Sequence, residues 1–234
     1  MQAEPDARSS LSAYVRTPMP AVRTPWRDAD LCVIDLETTG LDAASDEIIA
    51  FATVPIAGAR VRVREARYRV VRPRRMPRAN TILIHGLRSE ELADAPSLSE
   101  VMDELLAELT GRVLVAHVAT VEERFLGRAL LEAGTSLRNP VIDTAALAAE
   151  LFSRRRQAGP REVGLTPLAR RLGLPVHRPH EADGDALTAA QVFLALATEL
   201  EAFGLQTVGS LGELRRRSGP LATLRRALRR IRRS

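Results

Sequence analysis

Lysine is absent from this sequence of 234 residues: all 34 of its basic residues are arginine. The bias touches every segment alike, so it reads as genome composition and carries no mechanism. Cysteine occurs once, at Cys32, which excludes an internal disulfide and any thiolate cluster for zinc. Set in an apolar stretch, Cys32 reads as a small core residue. No run approaches the ~18 apolar residues of a membrane span. The N-terminus, MQAEPDARSS, has early acids and no apolar h-region, which excludes a secretory signal. A cytoplasmic location is the default expectation.

What is present is an uneven charge. Residues 205–234 hold nine arginines against Glu213, or +8, so the total of +5 leaves residues 1–204 at −3. The basic pI therefore describes a tail and not a basic domain, and it says nothing about nucleic-acid binding by the core. Three regions are expected: a flexible or loosely docked leader over 1–27, with four prolines and no period; a folded domain over 28–204; and the arginine-rich tail over 205–234. In the tail, Leu221, Leu224, Leu228 and Ile231 recur at helical spacing after Pro220, which predicts an amphipathic basic helix. Such a helix can hold nucleic acid, lie on an anionic membrane surface or dock on a partner.

The stretch LCVIDLETTG, Leu31–Gly40, organises the rest. Its apolar residues predict a buried strand closed by a turn at Thr38, Thr39 and Gly40. Residues i and i+2 of a strand share a face, so Asp35 and Glu37 present two carboxylates side by side. Either that strand end is solvated, or something positive offsets the pair, and a hard divalent cation is the natural partner.

Further on, Glu47–Ile56 and Arg60–Val71 read as two more strands joined by Ala57-Gly58-Ala59, giving an antiparallel meander. Val113–Ala116 and Pro140–Asp143 read as short buried strands, each followed by a helix (Thr120–Ala133 and Thr144–Phe152), and Asp185–Phe203 as a long helix. Meander first, then alternating strand and helix, predicts an α/β fold with a mixed sheet, three antiparallel strands plus two parallel ones, flanked by helices.

Glu122 lies one helical turn beyond the strand ending at Ala116-His117, at the edge where α/β sheets place their ligands. His180 precedes Asp185 by five residues at the start of the long helix. For Asp185, helix cap and metal ligand are both open readings. Asp183 reads as a cap, Asp143 as the fixer of a strand–helix turn with a metal role as the minor reading, and His117 as a structural hydrogen-bonding residue in preference to a catalyst. Several carboxylates and a histidine suit two-metal phosphodiester hydrolysis, with the histidine taking a proton from the attacking water.

These residues also carry a resemblance. Asp35-Leu36-Glu37-Thr38-Thr39-Gly40 matches the first motif, and His180-x-Ala182-x-x-Asp185-Ala186 the third, of the DEDDh (DnaQ-like) 3′–5′ exonucleases, whose fold is ribonuclease H-like and which include the epsilon proofreading subunit of bacterial DNA polymerase III. Ile84-His85-Gly86-Leu87 and Val141-Ile142-Asp143-Thr144 follow the same course. The similarity implies a metal-dependent 3′–5′ exonuclease that releases nucleoside monophosphates from single-stranded ends, DNA in preference to RNA, and a DNA polymerase as partner. It implies Asp35, Glu37, Glu122 and Asp185 as ligands of two Mg²⁺ or Mn²⁺ ions and His180 as general base, with Thr38, Thr39 and His85 near the substrate.

The second motif departs. The family's A-H-N-A-x-F-D reads here Ala116-His117-Val118-Ala119-Thr120-Val121-Glu122, so glutamate replaces the metal-binding aspartate. One added methylene can displace a carboxylate by more than the ~0.5 Å a preorganised site tolerates, and Mn²⁺ is expected to accept the change better than Mg²⁺. The competing readings are an RNA-trimming exonuclease of the same fold and a catalytically impaired module that binds nucleic acid or a polymerase.

Overall fold

The computed structural model describes residues 7–75, 86–157 and 164–217. Its centre is β1 (Leu31–Thr38), buried without a break from Leu31 to Leu36. On one side β1 pairs antiparallel with β2 (Ile48–Ala57), which in turn carries β3 (Arg60–Val61) and β4 (Arg67–Val70). On the other side lie β5 (Val113–Ala116) and β6 (Val141–Asp143), both parallel. The strand order is β3-β2-β1-β5-β6, with β4 also paired to β2. This is the expected mixed sheet with one change. The third meander strand, expected unbroken over Arg60–Val71, is split by a 3₁₀ turn at Val63–Glu65. The arginine–valine alternation runs through this point, but Val63 is 58% exposed. With no core to face, its apolar side chain gives the strand no reason to keep its register there.

Eight helices among the described residues cover the two sheet faces: α1 (Ala7–Arg16), α2 (Ser89–Ala93), α3 (Met102–Leu109), α4 (Thr120–Glu132), α5 (Thr144–Arg154), α6 (Leu165–Arg171), α7 (Ala182–Glu201) and α8 (Val208–Arg217). The strand period of two separates their cores. Leu31 and Val33, with Val113 and Val115, meet α5, α6, α7 and α8. Cys32, Ile34 and Leu36, with Leu114 and Ala116, meet α1, α3 and α4. Burial pushes the Cys32 thiol up to about 12, which fits the core role expected of it.

Both ends of the described chain depart from expectation. Residues 7–27, read as a flexible or loosely docked leader, are held by buried anchors. Tyr14 of α1 is fully buried and donates a 2.8 Å hydrogen bond to Asn139. Trp26 is fully buried edge-on against Phe193 of α7, with ring centroids 5.5 Å apart, and Arg27 stacks over the indole. A few large anchors placed far apart in sequence do here what a periodic pattern does elsewhere. The folded unit also runs past 204, because Val208, Leu211 and Leu214 of α8 are buried against the α5–α7 side. The amphipathic helix expected over Leu221–Arg232 lies outside the described residues. No described helix is long and apolar enough to cross a membrane.

Trp26→Ala should lower the unfolding free energy by about 3–5 kcal/mol, the usual cost of emptying an aromatic site in a core. Urea denaturation measures it, and a change below ~1 kcal/mol would show that the leader contributes little to the fold.

Candidate active site

Asp35 and Glu37 are the last residues of β1 on the face that also carries Leu31 and Val33, the face covered by α7. Asp35 is only 8% exposed, and Glu37 is half-buried. The pairing with β2 slips between Glu37 and Thr38 and turns the chain away from the sheet. Both threonine hydroxyls are used in the turn that follows. Thr38 donates to the Gly40 carbonyl at 2.5 Å. Thr39 donates to Asp46 at 3.2 Å and accepts from the Glu47 N–H at 3.0 Å.

Asp185 sits in the first turn of α7, 2% exposed, and its Oδ2 accepts from the His180 N–H at 3.2 Å. His180 is exposed and has φ 66, a left-handed conformation that histidine tolerates better than most residues. Gly184 makes this approach possible. A Cβ there would lie 2.5 Å from the carbonyl oxygens of both His177 and Arg178. Asp183 is not the helix cap it was expected to be. The N-cap position falls on Glu181, which makes no side-chain cap bond, while Asp183 pairs with Arg178 and accepts from the Gly184 N–H.

Glu122 lies in the first turn of α4, 5% exposed, after the turn His117-Val118-Ala119 at the end of β5. His117 has the structural role expected: its Nδ1 is 2.8 Å from the Thr144 hydroxyl. Asp143 fixes the turn, accepting from the N–H of Val118 at 3.0 Å and of Ala145 at 2.8 Å, and so caps α5. Burial pushes its carboxyl above the usual range against the pull of those backbone donors. Val118 has φ 63. The family's asparagine suits that left-handed position; a β-branched residue costs about 1–2 kcal/mol there. Here Val118 packs against Ala145 and Val121, a gain of similar size that offsets the strain. Beside Glu122, Glu123 is ion-paired with Arg215 of α8, a contact that no motif announced. Burial raises the Glu123 carboxyl, and Arg215 opposes the rise.

Helix α7 packs on β1 and β2, and α4 reaches β1 from the other face. Tyr68 of β4 marks where the acids meet. Burial, then the charges of Asp183, Glu37, Glu91 and Glu181, push its phenol up to about 12. The start of α7 and the end of β1 therefore lie at the same edge of the sheet, which is also where α4 begins. Among the described residues, no three His, Cys, Asp or Glu side chains are gathered closely enough to hold a metal ion as they stand. The donor chemistry nevertheless fits a hard divalent cation, since three nearly buried carboxylates and a half-buried fourth offer only oxygen. His85 lies outside the described residues.

The exonuclease family profile RNase_T matches residues 32–193. A DNA polymerase III subunit epsilon-like protein of Rhodobacter capsulatus is 36% identical over 191 residues, 80% of this chain and 26% of that one. A PolC-type DNA polymerase III of Thermotoga maritima is 33% identical over 189 residues, 80% of this chain and 13% of that one. The chain thus spans about a quarter of the first of these relatives and about an eighth of the second. The DNA polymerase III subunit epsilon of Aquifex aeolicus is 27% identical over 174 residues, and the match covers 74% of this chain and 83% of that one. Among solved structures, exonuclease X in complex with 5′ overhanging duplex DNA superposes with a TM-score of 0.61 at 22% identity, over 79% of this chain and 98% of that one. Exonuclease I of E. coli in complex with a dT13 oligonucleotide gives 0.67 at 15% identity, over 75% of this chain and 42% of that one. These two likenesses establish the ribonuclease H-like fold.

Gly184→Ala should cost about 1–3 kcal/mol, the usual penalty for forcing a methyl group into occupied space. The clash is with backbone, so the 177–180 segment must retreat from α7. Thermal unfolding would reveal the loss, and an unchanged melting temperature would mean that this segment yields without cost.

Proposed function

The chain belongs to the RNase_T exonuclease family, and we propose that it is a metal-dependent 3′–5′ exonuclease acting on single-stranded nucleic acid, DNA before RNA. The observation that carries this reading is the placement of buried acids on β1, α4 and α7 in a chain with the family's motifs in order. The family generally uses divalent metal ions. In this reading Asp35, Glu37, Glu122 and Asp185 hold two Mg²⁺ or Mn²⁺ ions, which when bound polarise the terminal phosphodiester and stabilise the leaving oxygen.

The chain's own groups supply the rest. His180, exposed at the mouth of the site, takes a proton on its imidazole from the water that attacks phosphorus. The P–O bond to the departing strand breaks, and a nucleoside monophosphate leaves. The bond from the His180 N–H to Asp185 links the general base to a ligand, so the two move together. Thr38 and Thr39 flank the acids and line the approach of the 3′ end through their backbone, since their hydroxyls are engaged in the turn. Glu122, one methylene longer than the family's aspartate, would serve as a ligand of the second ion, where Mn²⁺ would tolerate the change better than Mg²⁺. The relatives' names support a DNA polymerase as partner. The arginines beyond residue 217 supply phosphate contacts that the net-negative core lacks.

Incubating 5′-labelled single-stranded DNA and RNA with either metal tests the proposal. A ladder shortening from the 3′ end with Mn²⁺ above Mg²⁺, abolished by Asp35→Ala and lowered at least 100-fold by Glu122→Ala, is the expected result (~2.7 kcal/mol at the barrier). Retarded but intact strands would favour a binding module, a ladder confined to RNA would favour RNA trimming, and full activity in Glu122→Ala would remove that residue from the ligand set. Deleting residues 218–234 should weaken DNA binding at low salt and flatten its salt dependence, measured by fluorescence anisotropy between 50 and 200 mM salt; unchanged binding would remove the tail from the interface.

A further inference from the structure

Aromatic residues are few in this chain, and the structure uses nearly all of them in the core. Tyr14, Trp26, Phe51, Phe125, Phe152 and Phe193 are buried. Of the two exposed rings, Phe203 lies past the C-terminal end of α7 under the Arg154 guanidinium. The other is Tyr68 of β4, 38% exposed.

Sheet register fixes where Tyr68 stands. Asp35 pairs with Ala52, and Ala52 pairs with Tyr68, so the three residues form one row across β1, β2 and β4. Directly paired residues project to the same face, so Tyr68 shares the face of Asp35 and Glu37. Its neighbour Arg69 points the other way and pairs with Glu104 of α3, on the opposite side of the sheet. Two strand spacings separate Asp35 from Tyr68, roughly 9–10 Å. That is the reach of one nucleotide from its phosphate to its base, or to the base of its neighbour. Only alanine, at position 52, stands between them in the row, while α7 contacts both β1 and β4.

Among the described residues the ring makes no aromatic or cation–π contact. An acid-rich edge is a poor place for an idle exposed aromatic, and it is a suitable one for a π-face that attracts a base without attracting its phosphate. The phenol, held up near 12 by burial and by Asp183, Glu37, Glu91 and Glu181, stays neutral and adds no repulsion of its own.

We propose that Tyr68 is a substrate-positioning residue, a stacking platform for a base near the 3′ end of the bound strand that holds the terminal phosphodiester over Asp35 and Glu37. The assignment rests on the nuclease reading given above. A stacked base tolerates any sequence, because every base has a π-face. It also explains why a third-strand segment that leaves the sheet at Val63–Glu65 returns to it for four residues: the return places Tyr68.

The test compares Tyr68→Ala with Tyr68→Phe in the full chain. Stacking on an aromatic predicts that Tyr68→Ala raises KM for a labelled oligothymidylate about 5- to 100-fold with kcat within about threefold. Tyr68→Phe, which keeps the ring and loses the hydroxyl, should restore KM to within about twofold. Equilibrium binding of the same fluorescein-labelled oligothymidylate in EDTA, where no cleavage occurs, should show the same split between the variants. Equal KM and equal binding in Tyr68→Ala and the unmodified chain would overturn the proposal, as would a loss in Tyr68→Phe as deep as in Tyr68→Ala. If the unmodified chain binds the oligonucleotide but does not cut it, the nuclease reading fails alone, and the binding arm still decides Tyr68. Circular dichroism melts of both variants guard against misfolding, which a half-exposed edge position should not cause.

Discussion

A carboxylate moved from water into a protein interior costs several kcal/mol unless other groups or ions compensate it. This chain does that at least three times at one sheet edge, with Asp35, Glu122 and Asp185 each less than a tenth exposed. The surrounding structure is arranged to keep them there. β1 joins the two halves of the sheet, antiparallel to β2 and parallel to β5, so its end cannot shift without disturbing both together. Helix α7 lies across that strand because its alanines, among them Ala182, Ala186 and Ala189, allow a close approach to the sheet. Asp35 and Glu37 are therefore carried at the end of a strand paired on both sides, and Asp185 by a helix packed against it.

Much of this was legible in the sequence. The alternation in Leu31–Glu37 with its terminal turn, the short β-branched runs at Val113 and Val141, and the helical spacing of α4 and α7 all survive in the structure, because each buries one continuous face. What was not legible depends on partners far away in the chain. Tyr14 finds Asn139 and Trp26 finds Phe193, more than a hundred residues distant, so a proline-rich leader without period is held by two anchors. The break at Val63–Glu65 escaped the pattern because alternation reports a preference, while burial decides whether the preference is used. Similarly, Asp183 carries the right residue type for a cap but gives its carboxylate to Arg178.

The altered second motif reads as a coordinated change of residues. Left-handed φ at Val118 shows what the backbone requires at that point, and the apolar contacts with Ala145 and Val121 show how a branched residue is retained there. The Val118 N–H meanwhile anchors on Asp143, so the turn before Glu122 is tied down whatever its side chains. Next to Glu122, the pairing of Glu123 with Arg215 fastens α4 to α8. The helix bearing Glu122 is thus braced from two directions, by a buried aspartate at its entry and by an ion pair on its flank.

Cys32, buried within β1, has a further consequence for work on this chain. With its thiol fully buried and pushed up to about 12, it holds almost no thiolate at neutral pH, and thiolate is the form that reacts with maleimides and oxidants. The folded protein is therefore already chemically silent toward thiol reagents without mutating its core. A cysteine introduced on the surface would be the single reactive handle, so a dye or spin label could be set beside the acidic edge and its distance to a bound strand followed directly.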